Sequence, residues 1–433
     1  MYVSLLKYWM DLVRLQRMPP EKARAEQVRR LRRLFEFARE RSPFYHDLYT
    51  KAGVMDLTLR TMDDVRRLPV VDKRMMIECG LDRVLTVDRN SPTLACDMTS
   101  GSTGEQFPVY VTPQVNFTSH LRVYSALSRM GYRPYHRLMM IWRYDATKQL
   151  DIEKRTLLGS VQKHLGLFRR EIVSIFEAPE TLIEAVRHSR PHLVFATRAV
   201  LELMARHLQV RGAVLPIPFV VSGAETMLPE HRRLFEEVFQ ARVMNLYGCA
   251  EAPTMAFALD DNHFEVFSNL VYYEYENVGY EGDQRSGDIV ITNLLNYAMP
   301  IIRYCLRDRG RIISDDDTGA ARFIGPLLGR EDDVITLANG YRFVFHHSYQ
   351  MFASFTECRQ YRFVQLPDGS MRLWLVPSND TEEGREAARR KALQIWRDKF
   401  PDVALEIEFK NSLPLGRTGK HRVIERLEDW PST

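Results

Sequence analysis

The sequence predicts an α/β protein with a large N-terminal domain and a small α+β C-terminal domain, and three observations lead there. From Thr93 to about Gly248, strand-like runs alternate with amphipathic helical runs, the pattern of a sheet with much parallel character flanked by helices. Past Asn262 the runs turn β-rich, which adds a β-rich subdomain of mixed pairing. A compositional break at "LLGREDDVITLANGYRF" then precedes short strands, one charged helix and a last strand. The boundaries fall at residues 1–330 and 331–433.

The elements follow in order. "RAEQVRRLRRLFEFARERS" carries apolar residues at helical spacing, and "SPFYHDLYTKAGV" opens with proline and stops at glycine. "TMDDVRRLPVVDKRMMIECG" predicts a threonine-capped short helix, a proline break and another helix. "TLACDM" and "PVYVT" read as strands around a Gly/Ser/Thr loop, and Thr112 caps a helix with Pro113 at its first position. "RLMMIW", "HLVFA", "IPFVVSG" and "RVMNLYG" read as strands, with helices at "EAPETLIEAVRHSR", "RAVLELMARHLQVRG" and "LPEHRRLFEEVFQA" between them. "FEVFSNLVYYEYEN", "GDIVITNL" and "IIRYCLRD" supply the β-rich part. "RFVQL", "MRLWLVP", "TEEGREAARRKALQIWRDKF" and "ALEIEFK" supply the C-terminal domain.

A chain of 433 residues is long for one core. Its 60 basic and 56 acidic residues nearly balance, and no long basic stripe marks a nucleic-acid surface. "EQVRRLRRL" fits a solvated helix face. The five cysteines form no CxxC pair and no zinc knuckle, which suits a reducing compartment. The first residues carry charges in every turn and lack the apolar core of a secretion signal, and no run of about 18 apolar residues predicts a membrane span. The expected location is the cytoplasm.

Five stretches could carry chemistry. "MTSGSTGEQFPVYVT" (Met98–Thr112) holds glycines and hydroxyls that let backbone N–H groups converge on an anion. It lacks the GK[ST] and following helix of a nucleotide P-loop, and alone it also fits an ordinary hairpin turn. "NLYGCAEAPT" (Asn245–Thr254) places Glu251 just past a strand end, where a carboxylate could hold Mg²⁺ or simply face solvent. "IIRYCLRDRGRI" (Ile301–Ile312) offers an aspartate for ribose hydroxyls, or a surface Arg–Asp network. "LGREDDVITLANGYR" (Leu328–Arg342) has a charged cluster at the compositional break, and "LPLGRTGKHRV" (Leu413–Val423) a glycine-flanked lysine.

Taken in order, "TSGSTG", "SGAE", "YGCAE", "RYCLRD", "GREDDVITLANG" and "GRTGK" resemble the motif series of the adenylate-forming superfamily of acyl-CoA synthetases, adenylation domains and luciferases. The likeness spans about residues 30–425, and "SPFYHDLY" with "LPVVDKRMM" resembles the phenylacetate-CoA ligase branch, including its capsule-biosynthesis relatives. The resemblance implies ATP, Mg²⁺ and a carboxylic acid, with CoA as the co-substrate. It implies a loop of Thr99, Ser100, Gly101, Ser102, Thr103 and Gly104 around the β- and γ-phosphates. Gly223, Ala224 and Glu225 would line the adenine side and acyl pocket, with Tyr247 and Gly248 near the adenine. Glu251 would hold Mg²⁺, Asp308 the ribose and Arg330 the ribose or phosphate. Asp332 would be the hinge of a mobile C-terminal domain that delivers Lys420 to the acyl carboxylate and α-phosphate. By the same resemblance, that lysine and the metal would supply the positive charge missing from the loop.

The acyl pocket would draw on Trp142, Arg143, Arg198, Ser222, Cys249 and Ala250. Arg143 or Arg198 could pair with a polar substrate group or make a structural ion pair. Glu105, Gln106 and Phe107 precede Pro108 where the family often has lysine and then proline, and Arg307 stands where it has glycine before the ribose aspartate. Neither departure removes a residue with direct chemistry. The implied reaction forms an acyl adenylate and then a CoA thioester. Transfer to an amine or a carrier-protein thiol is the alternative, and a catalytically silent nucleotide-binding protein is the third.

Overall fold

The structure is a computed structural model that describes residues 10–11, 14, 18–99, 107–142, 167–281, 283–313, 322–330, 334–344, 348, 351–352, 355, 357–415 and 421–427. By internal contacts the chain divides into two compact units, Met1–Arg129 with Leu246–Leu327, and Met130–Asn245 with Leu328–Thr433.

The first unit begins with helices α1 (Pro20–Arg41), α2 (Pro43–Lys51), α3 (Met62–Arg66), α4 (Lys73–Cys79) and α5 (Leu81–Val84). On α1, Val28, Leu31, Phe35 and Ala38 fall at helical spacing and are buried, so the predicted apolar face is the packed one. Thr61 and Asp64 form a reciprocal capping box at α3. Strands β1 (Ala95–Met98) and β2 (Pro108–Val111) pair antiparallel, and α6 (Pro113–Arg129) follows with the Val115 amide 3.5 Å from the Thr112 hydroxyl.

The second unit holds β3 (Leu138–Trp142), β4 (Arg170–Ser174), α7 (Pro179–Ser189), β5 (Leu193–Thr197), α8 (Arg198–Gln209), β6 (Phe219–Gly223), α9 (Pro229–Phe239) and the first part, up to Asn245, of β7 (Arg242–Tyr247). Its strands lie in the order β7-β6-β5-β3-β4, and β4-β3, β3-β5 and β5-β6 are parallel pairs. Met139, Val194, Ala196, Leu201, Met204, Val220, Phe235 and Phe239 form the core between sheet and helices. A parallel sheet directs its strand ends to one edge, and the turns after β5 and β6 open there.

The chain then returns to the first unit with β8 (Ala256–Ala258), β9 (Phe264–Val266), β10 (Val271–Glu281), β11 (Gln284–Asn293), β12 (Tyr304–Arg311) and β13 (Phe323–Ile324). Strands β10, β11 and β12 form an antiparallel meander. Buried Gln27 on α1 donates to the carbonyls of Ser268 (3.0 Å) and Val271 (3.2 Å), tying the first helix to the start of β10. Arg303, 3% exposed, pairs with Glu274 and Glu276 and donates to the Arg66 carbonyl at 2.8 Å. Val71 bridges on either side of Tyr304, with its amide on the Arg303 carbonyl and its carbonyl accepting from the Cys305 amide, each at 2.8 Å.

Strand β14 (Leu327–Arg330) leads to β15 (Val334–Thr336), β16 (Arg342–Val344), β17 (Cys358–Gln365), β18 (Met371–Pro377), α10 (Glu382–Lys399), β19 (Leu405–Phe409) and β20 (Ile424–Arg426). The last four strands lie in the order β19-β18-β17-β20. Phe343, Phe352, Phe363, Leu373, Leu375, Ala392, Trp396 and Phe400 build an apolar core drawn from residues 335–424 alone. Among the described residues, no helix is long and apolar enough to cross a membrane.

Candidate active site

The turn after β7 admits only one kind of residue at its tightest point. A Cβ on Gly248 would lie 2.5 Å from the Thr254 amide nitrogen, so the glycine is required by a closed loop. The Met255 amide on the Tyr247 carbonyl (2.9 Å) and the Cys249 amide on the Ala252 carbonyl (3.4 Å) close that loop. Its fourth residue, Glu251, is 6% exposed. The Glu251 carbonyl accepts from Asn293 Nδ2 at 2.8 Å, and its Oε1 accepts from the Tyr304 hydroxyl at 2.9 Å. The Tyr247 hydroxyl donates to Asp308 Oδ2 at 2.8 Å, and its ring packs on Phe264 at 5.8 Å between centroids.

Two expected ligand carboxylates, Glu251 and Asp308, are thus each oriented by a buried phenol. Burial and then the Glu251 charge push the Tyr304 phenol far above its ordinary range, so it stays a hydrogen donor. The same two causes raise the Cys249 thiol well above its ordinary range. A thiol held neutral is a poor nucleophile, and Cys249 is suited to lining rather than attack. No cluster of three or more metal-ligating side chains occurs among the described residues. Mg²⁺ takes oxygen ligands and is commonly held by one or two carboxylates plus phosphate oxygens, and buried Glu251 fits such a shared site.

Arg307 takes φ 58, the left-handed region that glycine adopts freely. The arginine therefore tolerates the turn before Asp308, with Nη2 reaching 4.0 Å from Asp72 Oδ2. At the other hairpin, the Thr99 amide donates to the Phe107 carbonyl at 2.9 Å, and the Phe107 amide donates to Thr99 Oγ1 at 3.0 Å. Thr99 closes the base of the expected phosphate loop. Ser100, Gly101, Ser102, Thr103 and Gly104, with Glu105 and Gln106, lie outside the described residues, as do Arg143, Asp332 and Lys420.

In the second unit, Ser222 and Gly223 end β6 and are buried, and Ala224 turns the chain with φ 67. Glu225 accepts the Ala199 amide at Oε2 (2.7 Å) and the His421 amide at Oε1 (2.9 Å). Arg198, 3% exposed, pairs with Glu202 at 2.7 Å and lies 3.8 Å from Glu225. Of the two roles open to Arg198 in the sequence, the structure displays the ion pair. Glu202 also meets Arg206 at 2.8 Å and His231 at 3.5 Å. Trp142 ends β3 stacked on Phe195, with ring centroids 5.3 Å apart. Cys249 and Ala250 are half-buried in the Gly248 loop, and Arg330 is half-buried at the end of β14.

The structure therefore brings Tyr247, Gly248, Glu251 and Asp308 together in one unit, and Arg198 and Glu225 together in the other. Sequence reasoning missed Tyr304, Asn293 and His421. Tyr304 stands inside the "RYCLRD" motif, and His421 directly follows Lys420, so motif adjacency was the available signal.

No family model matches the chain. It is 25% identical over 351 residues to the phenylacetate-coenzyme A ligase of Thermus thermophilus, covering 75% of this chain and 74% of the relative. It is 21% identical over 333 residues to the phenylacetate-coenzyme A ligase of Escherichia coli, covering 73% of each. Its fold matches that of 2-hydroxyisobutyryl-CoA ligase in the postadenylation state with a TM-score of 0.74 and 18% identity, over 95% of this chain and 90% of that one. Ordered motifs, homology to phenylacetate-coenzyme A ligases and a shared fold together place the chain in the adenylate-forming superfamily.

Proposed function

We propose that the chain is an AMP-forming ligase that activates an aryl carboxylic acid with ATP and transfers the acyl group to CoA. The observation that carries this reading is the pair of buried tyrosine–carboxylate bonds, Tyr304–Glu251 and Tyr247–Asp308, set in the two motif loops expected to meet Mg²⁺ and ribose. The aryl class is supported by the chain's sequence relatives, which are phenylacetate-coenzyme A ligases.

In the first step the substrate carboxylate attacks the α-phosphate of ATP and pyrophosphate leaves. Positioning and charge stabilisation are the protein's contribution. Asp308, fixed by Tyr247, would accept both ribose hydroxyls. Glu251, fixed by Tyr304, would hold Mg²⁺, which supplies charge neutralisation at the phosphates. The loop anchored by Thr99 would present backbone N–H groups to the leaving pyrophosphate, and Lys420 would meet the carboxylate and α-phosphate. In the second step the CoA thiol attacks the acyl carbon and AMP leaves. A hinge at Asp332 between residues 1–330 and 331–433 would withdraw Lys420 for that step.

The test is carboxylate-dependent ATP–pyrophosphate exchange across phenylacetate and other aryl, fatty, amino and hydroxy acids, each active acid then being offered CoA. Exchange with an aryl acid and a CoA thioester product is the expected result. Exchange without thioester would direct the acyl group to an amine or carrier thiol, and no exchange with any acid would overturn the reading.

A further inference from the structure

Both oxygens of Glu225 accept a backbone N–H, one from Ala199 at the start of α8 and one from His421. The carboxylate is 6% exposed and has the Arg198 guanidinium 3.8 Å away, so it is a charged, well-shielded double acceptor. His421 is the residue after Lys420. Its imidazole plays no visible part in the bond: burial, then Arg198 and Arg362, push it down to about 3, so it is neutral near pH 7, and its Nε2 is buried.

The neighbouring backbone is held as well. Gln360 clasps Leu413 twice, its Nε2 donating to the Leu413 carbonyl and its Oε1 accepting the Leu413 amide, each at 3.1 Å. The Phe363 amide donates to the Val423 carbonyl at 2.7 Å, and Arg362 Nε to the Arg422 carbonyl at 2.9 Å. Those anchors come from β17, in the same 335–424 body as the segment they hold. Glu225 differs, because it reaches the segment from the turn after β6, within the motif expected to line adenine and acyl group.

We propose that Glu225 is a positioning residue for adenylation: by holding the His421 amide it sets where Lys420 leaves the chain. This rests on the reading of Lys420 as the adenylation lysine. A neighbour that merely neutralises Arg198 would affect stability, whereas a positioning residue also separates the two half-reactions, because Lys420 acts in only one of them.

The experiment compares full-length wild type, Glu225→Gln and Lys420→Ala. An amide side chain offers one acceptor oxygen where the carboxylate offers two, so one N–H bond is lost and an NH₂ faces a donor. Hydrogen exchange should show the His421 amide protected in wild type and exchanging about tenfold faster or more in Glu225→Gln. ATP–pyrophosphate exchange with phenylacetate should fall about tenfold or more in that variant. Thioester formation from synthetic phenylacetyl adenylate and CoA should fall much less. Equal losses in both half-reactions, or an unprotected His421 amide in wild type, would overturn the proposal, and the second outcome is readable even if the variant folds poorly. Wild type without exchange for phenylacetate or any other acid would sink the ligase reading itself. Wild type active but indifferent to Lys420→Ala would sink the lysine assignment, which is separate from an unequal or equal effect of Glu225→Gln.

Discussion

The hydroxyl of Tyr304 donates to Glu251 Oε1 at 2.9 Å across 53 positions of sequence, joining the motif after β7 to the motif that opens β12. A ligand carboxylate held this way is preorganised, because one oxygen is already directed. Tyr304→Phe keeps the buried ring and removes the donor. The expected outcome is a rise of about tenfold in the Mg²⁺ concentration needed for half-maximal pyrophosphate exchange, the lower end of the range for outer partners of metal ligands. Stability should fall by only about 1 kcal/mol. Titration of exchange against Mg²⁺, with a denaturant melt alongside, checks both. An unchanged Mg²⁺ dependence would remove Glu251 from the metal site.

Lys420→Ala addresses the charge that the Gly/Ser/Thr loop lacks. Removing a cation that contacts transition-state charge should lower adenylation by about a hundredfold or more. The melting temperature should stay close to wild type. Full exchange activity in the variant would show that another group supplies the charge.

Gly248→Ala probes the closed loop around Glu251. The new methyl would meet the Thr254 backbone nitrogen at 2.5 Å, and backbone cannot yield as a flexible side chain does. Overpacking of this kind is expected to destabilise the protein by about 1–3 kcal/mol and to displace Glu251. Thermal unfolding reads the first effect and pyrophosphate exchange the second. A variant with wild-type stability would mean that the loop opens readily.

Much of this site was legible in the sequence because it is local. Tyr247 and Gly248 sit at a strand end, Asp308 follows an apolar run, and each position is marked by its neighbours. What the sequence hid are the partners. Tyr247 and Asp308 are 61 residues apart, and Glu225 and His421 are 196 apart, so nothing in the local pattern joins them. Arg198 was ambiguous for a different reason: a guanidinium suits a substrate carboxylate and a protein carboxylate equally well, and only the placement of Glu202 decides. Strand β4 lacks a strong alternating pattern, and its pairing with β3 makes it a strand.

Arg307→Gly tests a place where the chain departs from the family pattern. The arginine holds φ 58, a conformation that is unfavourable for L residues by about 1–2 kcal/mol and open to glycine without strain. Glycine also loosens the unfolded chain, which offsets part of that gain. The expected net change is within about 1 kcal/mol of zero. Arg307→Val adds β-branching to the same φ, where branched side chains are genuine outliers, and should lower the melting temperature below wild type. Equal melting temperatures for the glycine and valine variants would contradict the left-handed turn.

The buried charge cluster around Glu202 makes stability depend on acid. Burial pushes His231 down to about 4 from an ordinary 6.5, against the pull of Glu202, so the folded protein binds its proton less readily than the unfolded chain does. Between those two values the unfolded state carries more protons, and stability must fall as pH falls through that window. Glu202 acts in the same direction at lower pH. Although burial opposes its charge, Arg206, His231 and Arg198 hold it well below the carboxylate range, so its contribution is present above its unfolded value and lost on further acidification. Urea melts from pH 7 to pH 4 should therefore show declining stability, and His231→Gln should flatten the part of the curve between 6.5 and 4. A His231→Gln curve parallel to wild type throughout that interval would mean that His231 titrates alike in the folded and unfolded states.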